Sequence, residues 1–305
     1  MKTIAVFCHD PGAAELISSW INQNKKNYQF LFYLKGPAIK IFKKKIKNIC
    51  ICKNKRKAIF ANIFLCGSGW QTTFELDGLI LGKKYKKKTI VFLDYWKNYK
   101  RRFQKKKYFL PDIFWVTDNY ANKRAKLEFK NSKIVVKKNY FFLDLKKLYL
   151  NKLKKKINKR LKDKIILYLS EPILEHSVKW FGSKNFWKYD EFDALKFFLK
   201  NYDNIFQNIK KIILRPHPSE KLNKYNNLCS KFSHKAKIEI NNKVDLVTQI
   251  FESDIIIGCQ TTPMVLALYL KKKVFCSIPP KGKKSDLPFK NILYLRDIIC
   301  KKSKL

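Results

Sequence analysis

Short apolar runs alternate along the chain with segments whose apolar residues recur at helical spacing. That is the pattern of parallel sheets assembled from strand–helix–strand units. In the first half the runs predict strands over residues 3–8, 29–34, 49–52, 63–66, 89–93, 113–117 and 133–136. Helices fall between most of them, for example over 13–22 and 38–45. A polar, lysine-rich helix over 145–162 carries no strand signal and reads as a linker. The alternation restarts at 164–169, runs through a long insertion and a helix over 192–202, and adds strands at 211–214, 237–240, 254–257 and 273–277. The expected architecture is α/β: two doubly wound parallel-sheet domains facing a cleft, residues 1–144 and 164–305, joined by the linker at 145–163. Ligands of open parallel sheets bind beyond the carboxyl ends of the strands, so the residues just after each strand are the functional candidates.

The chain has 305 residues, of which 46% are hydrophobic and 15% aromatic, a globular composition despite a formal net charge of +44. Such a charge points first to nucleic acid or an anionic membrane. Of the 67 basic residues, however, only seven are Arg, the side chain suited to bidentate recognition of phosphates and bases. Lysine runs at 43–45, 86–88, 105–107, 154–156 and 271–273 are spread over the whole chain. Lys, Ile, Asn, Phe and Tyr are abundant together, as an AT-rich coding sequence produces without selection on function. The charge therefore reads as solvated surface, with weak docking on anionic lipid as the alternative, and nucleic acid is not an expected partner. Most of the eight cysteines interrupt or end apolar runs and read as small buried hydrophobes. Cys50 and Cys52 form a CxC with no second pair at zinc spacing, so neither a metal nor a cofactor is expected. No signal-peptide succession and no apolar run of membrane length is present. The expected location is the reducing cytoplasm, with a peripheral position at the inner face of a membrane open to it.

Chemistry gathers at the strand ends. Cys8-His9-Asp10-Pro11-Gly12 follows the first strand. Pro11 and Gly12 set a tight turn, and a single glycine does not make a dinucleotide-binding fingerprint. Asp10 is either a general base for an acceptor hydroxyl, with His9 a substitute near neutrality, or the N-cap of the next helix. Cys66-Gly67-Ser68-Gly69 permits a ligand close to the backbone, or is a flexible turn. Asp94 and Trp96, with Tyr95 and Tyr99, suit sugar stacking and hydroxyl bonding, or form an aromatic flap over the core. Thr117-Asp118-Asn119 has a weaker claim, since Asp118 suits a cap. In the second half Ser170 is placed to touch a phosphate or base and Glu171 to accept ribose hydroxyls, or both form a turn. Leu214-Arg215-Pro216-His217-Pro218 offers a cation and a hydrogen-bond donor held by prolines, and Gly258-Cys259-Gln260-Thr261-Thr262 places hydroxyls at a helix N-terminus that favours an anion. The alternative for Arg215 and His217 is a surface arginine and a capped turn.

With Arg-Pro-His-Pro after one strand and Asp-Ile-Ile-Ile-Gly before Gln260-Thr261-Thr262, the chain resembles the GT-B glycosyltransferase superfamily. Its two halves are similar to paired Rossmann-like domains. The branches it resembles are bacterial sialyl- and polysialyltransferases and CDP-glycerol glycerophosphotransferases of capsule and teichoic-acid synthesis. The resemblance to the sialyltransferases implies that His217-Pro218 contacts the CMP moiety of a donor and that Thr261-Thr262 binds its phosphate. It also implies an N-terminal acidic base, which Asp10-Pro11-Gly12 matches with proline in place of a second acid. The first half is similar to uncharacterised polysaccharide-biosynthesis proteins with a His-Asp-Pro-Gly start and a Leu-Asp-x-Trp-x-Asn-Tyr segment. UDP-N-acetylglucosamine 2-epimerases share the GT-B fold.

The resemblance implies a metal-independent transfer from a CMP-, CDP- or UDP-linked sugar to a hydroxyl of a glycan or lipid-linked acceptor, with epimerisation as the alternative. Arg215, His217, Ser170, Glu171, Gln260, Thr261 and Thr262 are then the expected donor-binding residues. Gly12, Gly67, Ser68, Asp94 and Trp96 are the expected acceptor side, and Asp10, His9 and His217 the catalytic groups.

Overall fold

A computed structural model of the chain describes residues 1–69, 72–105, 107–155 and 163–302, without the side chains of 152–155. The chain divides into two compact units, Met1–Asp144 and Leu145–Leu305. The first unit contains strands β1 (Lys2–Cys8), β2 (Tyr28–Leu34), β3 (Ile63–Cys66), β4 (Lys88–Phe92), β5 (Ile113–Val116) and β6 (Lys133–Val136). Its helices are α1 (Pro11–Asn24), α2 (Pro37–Lys45), α3 (Phe74–Lys84) and α4 (Asn119–Glu128), and α5 (Tyr140–Lys155) runs on into the second unit. All six strands are parallel, in the order β2-β1-β3-β4-β5-β6. Helices on a parallel sheet bury its strands, which is why β1 is apolar without alternation and is buried from Ile4 to Cys8. Phe7 stacks on Tyr33 and Phe64 of the flanking strands at 4.6 and 5.7 Å between centroids, while Ile4, Val6 and Cys8, on the other face, pack in one core with Ala13, Ala14, Ile17 and Ile21 of α1.

The second unit repeats the plan. Strands β7 (Lys164–Leu169), β8 (Ile209–Arg215), β9 (Lys237–Ile240), β10 (Ile255–Gly258), β11 (Lys273–Cys276) and β12 (Leu293–Tyr294) form a parallel sheet in the order β12-β11-β10-β7-β8-β9. Its helices are α6 (Ile173–Phe181), α7 (Glu191–Ile205), α8 (Asn226–Ser230), α9 (Leu246–Glu252), α10 (Thr262–Tyr269) and α11 (Leu295–Lys302).

Strand order selects where ligands go. In the first sheet the chain leaves β1 to one side for β2 and returns to the other side for β3; in the second it does the same around β7, to β8 and then β10. At such reversals the loops splay apart and open a crevice beyond the carboxyl ends. The crevices are therefore lined by the residues after β1 and β3, and by those after β7 and β10.

Three expectations change. Residues 49–52 make only a single parallel bridge, Ile51 to Phe32, because lysines and Asn54 interrupt the run before a ladder forms. The insertion after β7 holds α6, and a two-residue edge strand, β12, joins the second sheet. The expected linker helix starts earlier, at Tyr140, and residues 156–162 of that expectation lie outside the described residues. Among the described residues no helix is long and apolar enough to cross a membrane.

Candidate functional site

Three carboxylates meet at the first crevice. Glu75, in the first turn of α3, is 2% exposed, and its Oε1 accepts the backbone N–H of His9 at 2.8 Å and of Asp10 at 3.1 Å. Asp94, after β4, is fastened differently: its Oδ1 accepts from Arg102 at 2.6 Å and from the Ser68 hydroxyl at 2.9 Å. Arg102 also donates to the Ser68 carbonyl at 2.7 Å. Asp10 is the N-terminal flanking residue of α1, yet its side chain makes no cap bond to the helix. Its side-chain contact is with His9, whose Nδ1 lies 3.5 Å from Oδ1. A Cβ on Gly69 would stand 2.5 Å from Glu75 Oε2 and 2.8 Å from the Asp10 carboxyl carbon, so the two acids close on one point that only glycine leaves open.

Crowding and burial raise the pKa of two of these acids. Desolvation, with the nearby Asp94 charge, raises the Asp10 carboxyl above its ordinary value. Glu75 is pushed up to about 7, by burial first and against the pull of its two backbone N–H bonds. Its Oε2 has no hydrogen-bond partner among the described residues. The cluster thus has fixed carboxylates, Asp94 and Glu75, and one, Asp10, whose side-chain hydrogen bond among the described residues is to His9 of its own loop.

His9 is held from the other side. Gly36, after β2, has φ +52° and ψ −140°, and a Cβ there would come within 2.5 Å of His9 Nε2. Gly36→Ala is expected to cost about 1–3 kcal/mol, from backbone strain plus overpacking, and to displace the His9 ring. Chemical denaturation checks this; a variant as stable as wild type would mean that the loop yields freely.

The second crevice is organised by Glu220. Its carboxylate accepts from the His217 N–H at 2.8 Å, the Ser170 hydroxyl at 2.8 Å, the Tyr225 hydroxyl at 2.6 Å and Lys224 at 2.7 Å. Burial alone would raise this carboxyl, but the donors around it, Lys224 first, hold it below its ordinary value. Lys224 is shared with Glu191, which also accepts the Leu174 N–H at 2.9 Å. The network clamps the Pro216–Pro218 loop. Burial lowers the His217 imidazole below its ordinary pKa, so the ring is neutral near pH 7. Its Nδ1 faces the Ser219 N–H at 3.2 Å and the Ser219 hydroxyl at 2.8 Å, and accepting there leaves the ring proton on Nε2. His176 of α6 stands edge to face with His217, centroids 6.2 Å apart, and stacks on Trp180 at 4.3 Å.

A scan of protein-family models and a search of curated proteins gave no match. Among solved structures, the UDP-GlcNAc 2-epimerase from Methanocaldococcus jannaschii superposes with a TM-score of 0.64 at 13% identity, covering 100% of this chain and 92% of the epimerase. The UDP-GlcNAc 2-epimerase from Neisseria meningitidis bound to UDP-GlcNAc gives 0.61 at 13% identity, covering 92% and 84%. A Staphylococcus aureus MnaA–UDP structure gives 0.57 at 13%, covering 90% and 79%. Tandem doubly wound sheets along the whole alignment decide the architecture. The chain has the GT-B fold.

Within the GT-B frame, several expected site residues take other places. Trp96 is 8% exposed and donates its indole N–H to Asp118 at 2.8 Å, and Tyr99 is wholly buried, so these two rings are core and not a sugar platform, while Tyr95 beside them is half-buried. Asp118 also caps α4 through the Ala121 N–H. Ser68 is buried against Asp94 and Arg102, and Ser170 against Glu220 and Tyr225; both hydroxyls are spent inside the protein. Arg215 turns one nitrogen to the Val244 carbonyl at 2.7 Å and to Gln249 Oε1 at 2.6 Å, tying β8 to α9. Glu171 accepts the Gln260 N–H at 2.9 Å and so joins the ends of β7 and β10. Gly12 and Gly67 make room for Asp94 and Glu75 respectively. Thr261 flanks α10 without a side-chain cap bond, and Thr262 opens the helix.

Residues that sequence reasoning did not select are Glu75, Arg102, Glu220 and His176. Two of them carried a signal: Arg102 is one of only seven arginines, and His176 and Trp180 stand four apart on one helix face. Among the described residues no group of His, Cys, Asp and Glu is arranged to hold a metal ion.

Proposed function

We propose that the chain is a glycosyltransferase that moves a sugar from a nucleotide-activated donor to a hydroxyl of a glycan or lipid-linked acceptor. The observation that carries this reading is Asp10: a desolvated carboxylate of raised pKa, past a strand end at the reversal of the first sheet, that does not cap its helix. Asp94 and Glu75 are occupied in holding the loops, which leaves one base, the number that transfer to a hydroxyl requires. Asp10 takes the proton as the acceptor oxygen bonds to the anomeric carbon; the bond from that carbon to the donor phosphate breaks, and its electron pair leaves with the nucleotide. The Nε2–H of His217, the hydroxyls of Thr261 and Thr262 and the N-terminus of α10 are the groups suited to that growing charge. Glu220 sets the His217 loop, and Arg215 ties the end of β8, just before that loop, to α9.

The second reading, a nucleotide-sugar 2-epimerase, is favoured by Glu75, whose pKa near 7 and unpartnered Oε2 suit a second acid–base group. One experiment addresses both. Calorimetric titration with CMP, CDP and UDP, on wild type and His217→Ala, is expected to show salt-resistant binding of one nucleotide that weakens about tenfold or more in the variant. Incubation with the matching nucleotide sugar and no acceptor then separates the readings, since an inverted C2 centre in the recovered sugar means epimerase. Equal binding by wild type and variant would remove His217 from the site.

A further inference from the structure

Beside the proposed base, two cations from separate segments converge on one ring. Lys35 follows β2 and Lys55 opens a short helical turn before β3; their ammonium groups stand 5.1 and 5.2 Å from the centroid of Phe74. Phe74 is the residue before Glu75, and it packs against Phe7 of β1 at 5.8 Å. Lys35 donates its backbone N–H to the Cys8 carbonyl, and the next residue, Gly36, abuts the His9 ring. Lys35 therefore stands at the same end of the first sheet as His9 and Asp10, and Lys55 meets it over Phe74.

Lysines set against rings here differ in their partners. Lys137 over Trp115 and Lys283 over Phe186 each stand alone over a ring without a carboxylate partner among the described residues, whereas Lys35 and Lys55 share one ring. Two others are ion-paired. Lys45, over Phe141, is paired with Glu15, and Lys224, over Phe192 and Tyr225, with Glu191 and Glu220. Lys35 and Lys55 have no carboxylate partner among the described residues, and both are exposed. Two ammonium groups over one nearly buried ring repel each other, and an anion bound between them offsets that repulsion.

We propose that Lys35, Lys55 and the Phe74 face form an anion subsite that takes a phosphate or diphosphate ester on the acceptor and presents the acceptor hydroxyl to Asp10. This rests on the transferase reading and names its acceptor class. The ester belongs to a lipid headgroup or to a soluble sugar phosphate; the binding chemistry is the same.

Calorimetry with inorganic pyrophosphate at physiological salt, on the full chain, tests the subsite. Four proteins are compared: wild type, Lys35→Gln/Lys55→Gln, a control pair of equal charge change on α4, Lys123→Gln/Lys126→Gln, and His217→Ala. Binding is expected to weaken about tenfold or more in the first pair only. Equal loss in the control pair, or wild-type binding by the Lys35/Lys55 variant, overturns the subsite. Loss in His217→Ala alone also overturns it, by placing pyrophosphate in the second unit. Phosphatidylcholine vesicles carrying a small fraction of polyprenyl phosphate, against glucose 1-phosphate in solution, distinguish the sources. Capture of one that depends on the lysine pair supports the assignment and names the source; capture of neither overturns it. Since these measurements need no donor and no turnover, the subsite and the transferase reading fail separately.

Discussion

Asp10→Asn is expected to lower sugar transfer by about 100- to 10,000-fold, the usual contribution of a positioned general base, while nucleotide binding stays as in wild type. The substitution is unusually clean here. The Asp10 side chain makes no bond to the amide groups of α1, so exchanging it for an amide leaves the helix start as it was. The backbone N–H of residue 10 still donates to Glu75, and Ala14 still donates to the carbonyl of residue 10. Removing one of three crowded acids also relieves repulsion with Asp94, so the variant should be as stable as wild type or slightly more so. Steady-state transfer, nucleotide titration and chemical denaturation together check this. Transfer within a few fold of wild type would return Asp10 to the role of a loop-former and remove the proposed base. An unstable variant would instead show that the carboxylate is part of the frame.

Glu75 gives the second large effect, on stability. Its folded-state pKa of about 7 lies above the ordinary value of 4.5, so between those pH values the folded chain keeps a proton that the unfolded chain has released. Stability contributed by this group is complete below about pH 4.5, is lost as pH rises through the folded pKa, and levels above it. At about 1.4 kcal/mol per unit, the loss across the window is on the order of 3 kcal/mol. Glu75→Gln keeps an oxygen for the His9 and Asp10 amides and has no proton to lose, so its stability should be nearly flat where wild type declines. Urea denaturation between pH 5 and 8 measures the two slopes. Parallel slopes would assign the pH dependence to other groups. The charged state above pH 7 is also the one in which Glu75 repels Asp10 most, which ties the stability of the loop to its proposed chemistry.

Much of the fold was legible because it depends on local pattern. Strands β3, β6, β7 and β9 fall on the residues that the apolar runs mark, since each is a compact run bounded by polar residues. The run at 49–52 failed for the complementary reason: an edge position with lysines on both sides offers little apolar surface to bury. The candidate site was legible to the level of loops. Reading residues after strand ends singled out Asp10, Ser68, Asp94, Ser170 and His217, because chain order alone fixes which residues come after a strand. It could not tell which of those side chains face a ligand.

The sequence by itself determined the alternating elements, the two tandem units and the loops in which polar residues gather, because hydrophobic periodicity and turn chemistry act over a few residues. Only the tertiary structure decided the roles. Glu75 and Glu220 became the organisers of their loops because each reaches a distant segment, Glu75 across 66 residues to the His9 amide and Glu220 across 50 to the Ser170 hydroxyl. Arg102 became the partner of Asp94 and Ser68, across 34 residues in the second case. Trp96 became core because its ring is closed in by the fold. A pKa, a shared proton or a pair of cations over one ring depends on distances between segments far apart in the chain, and those distances exist only once the sheets have formed.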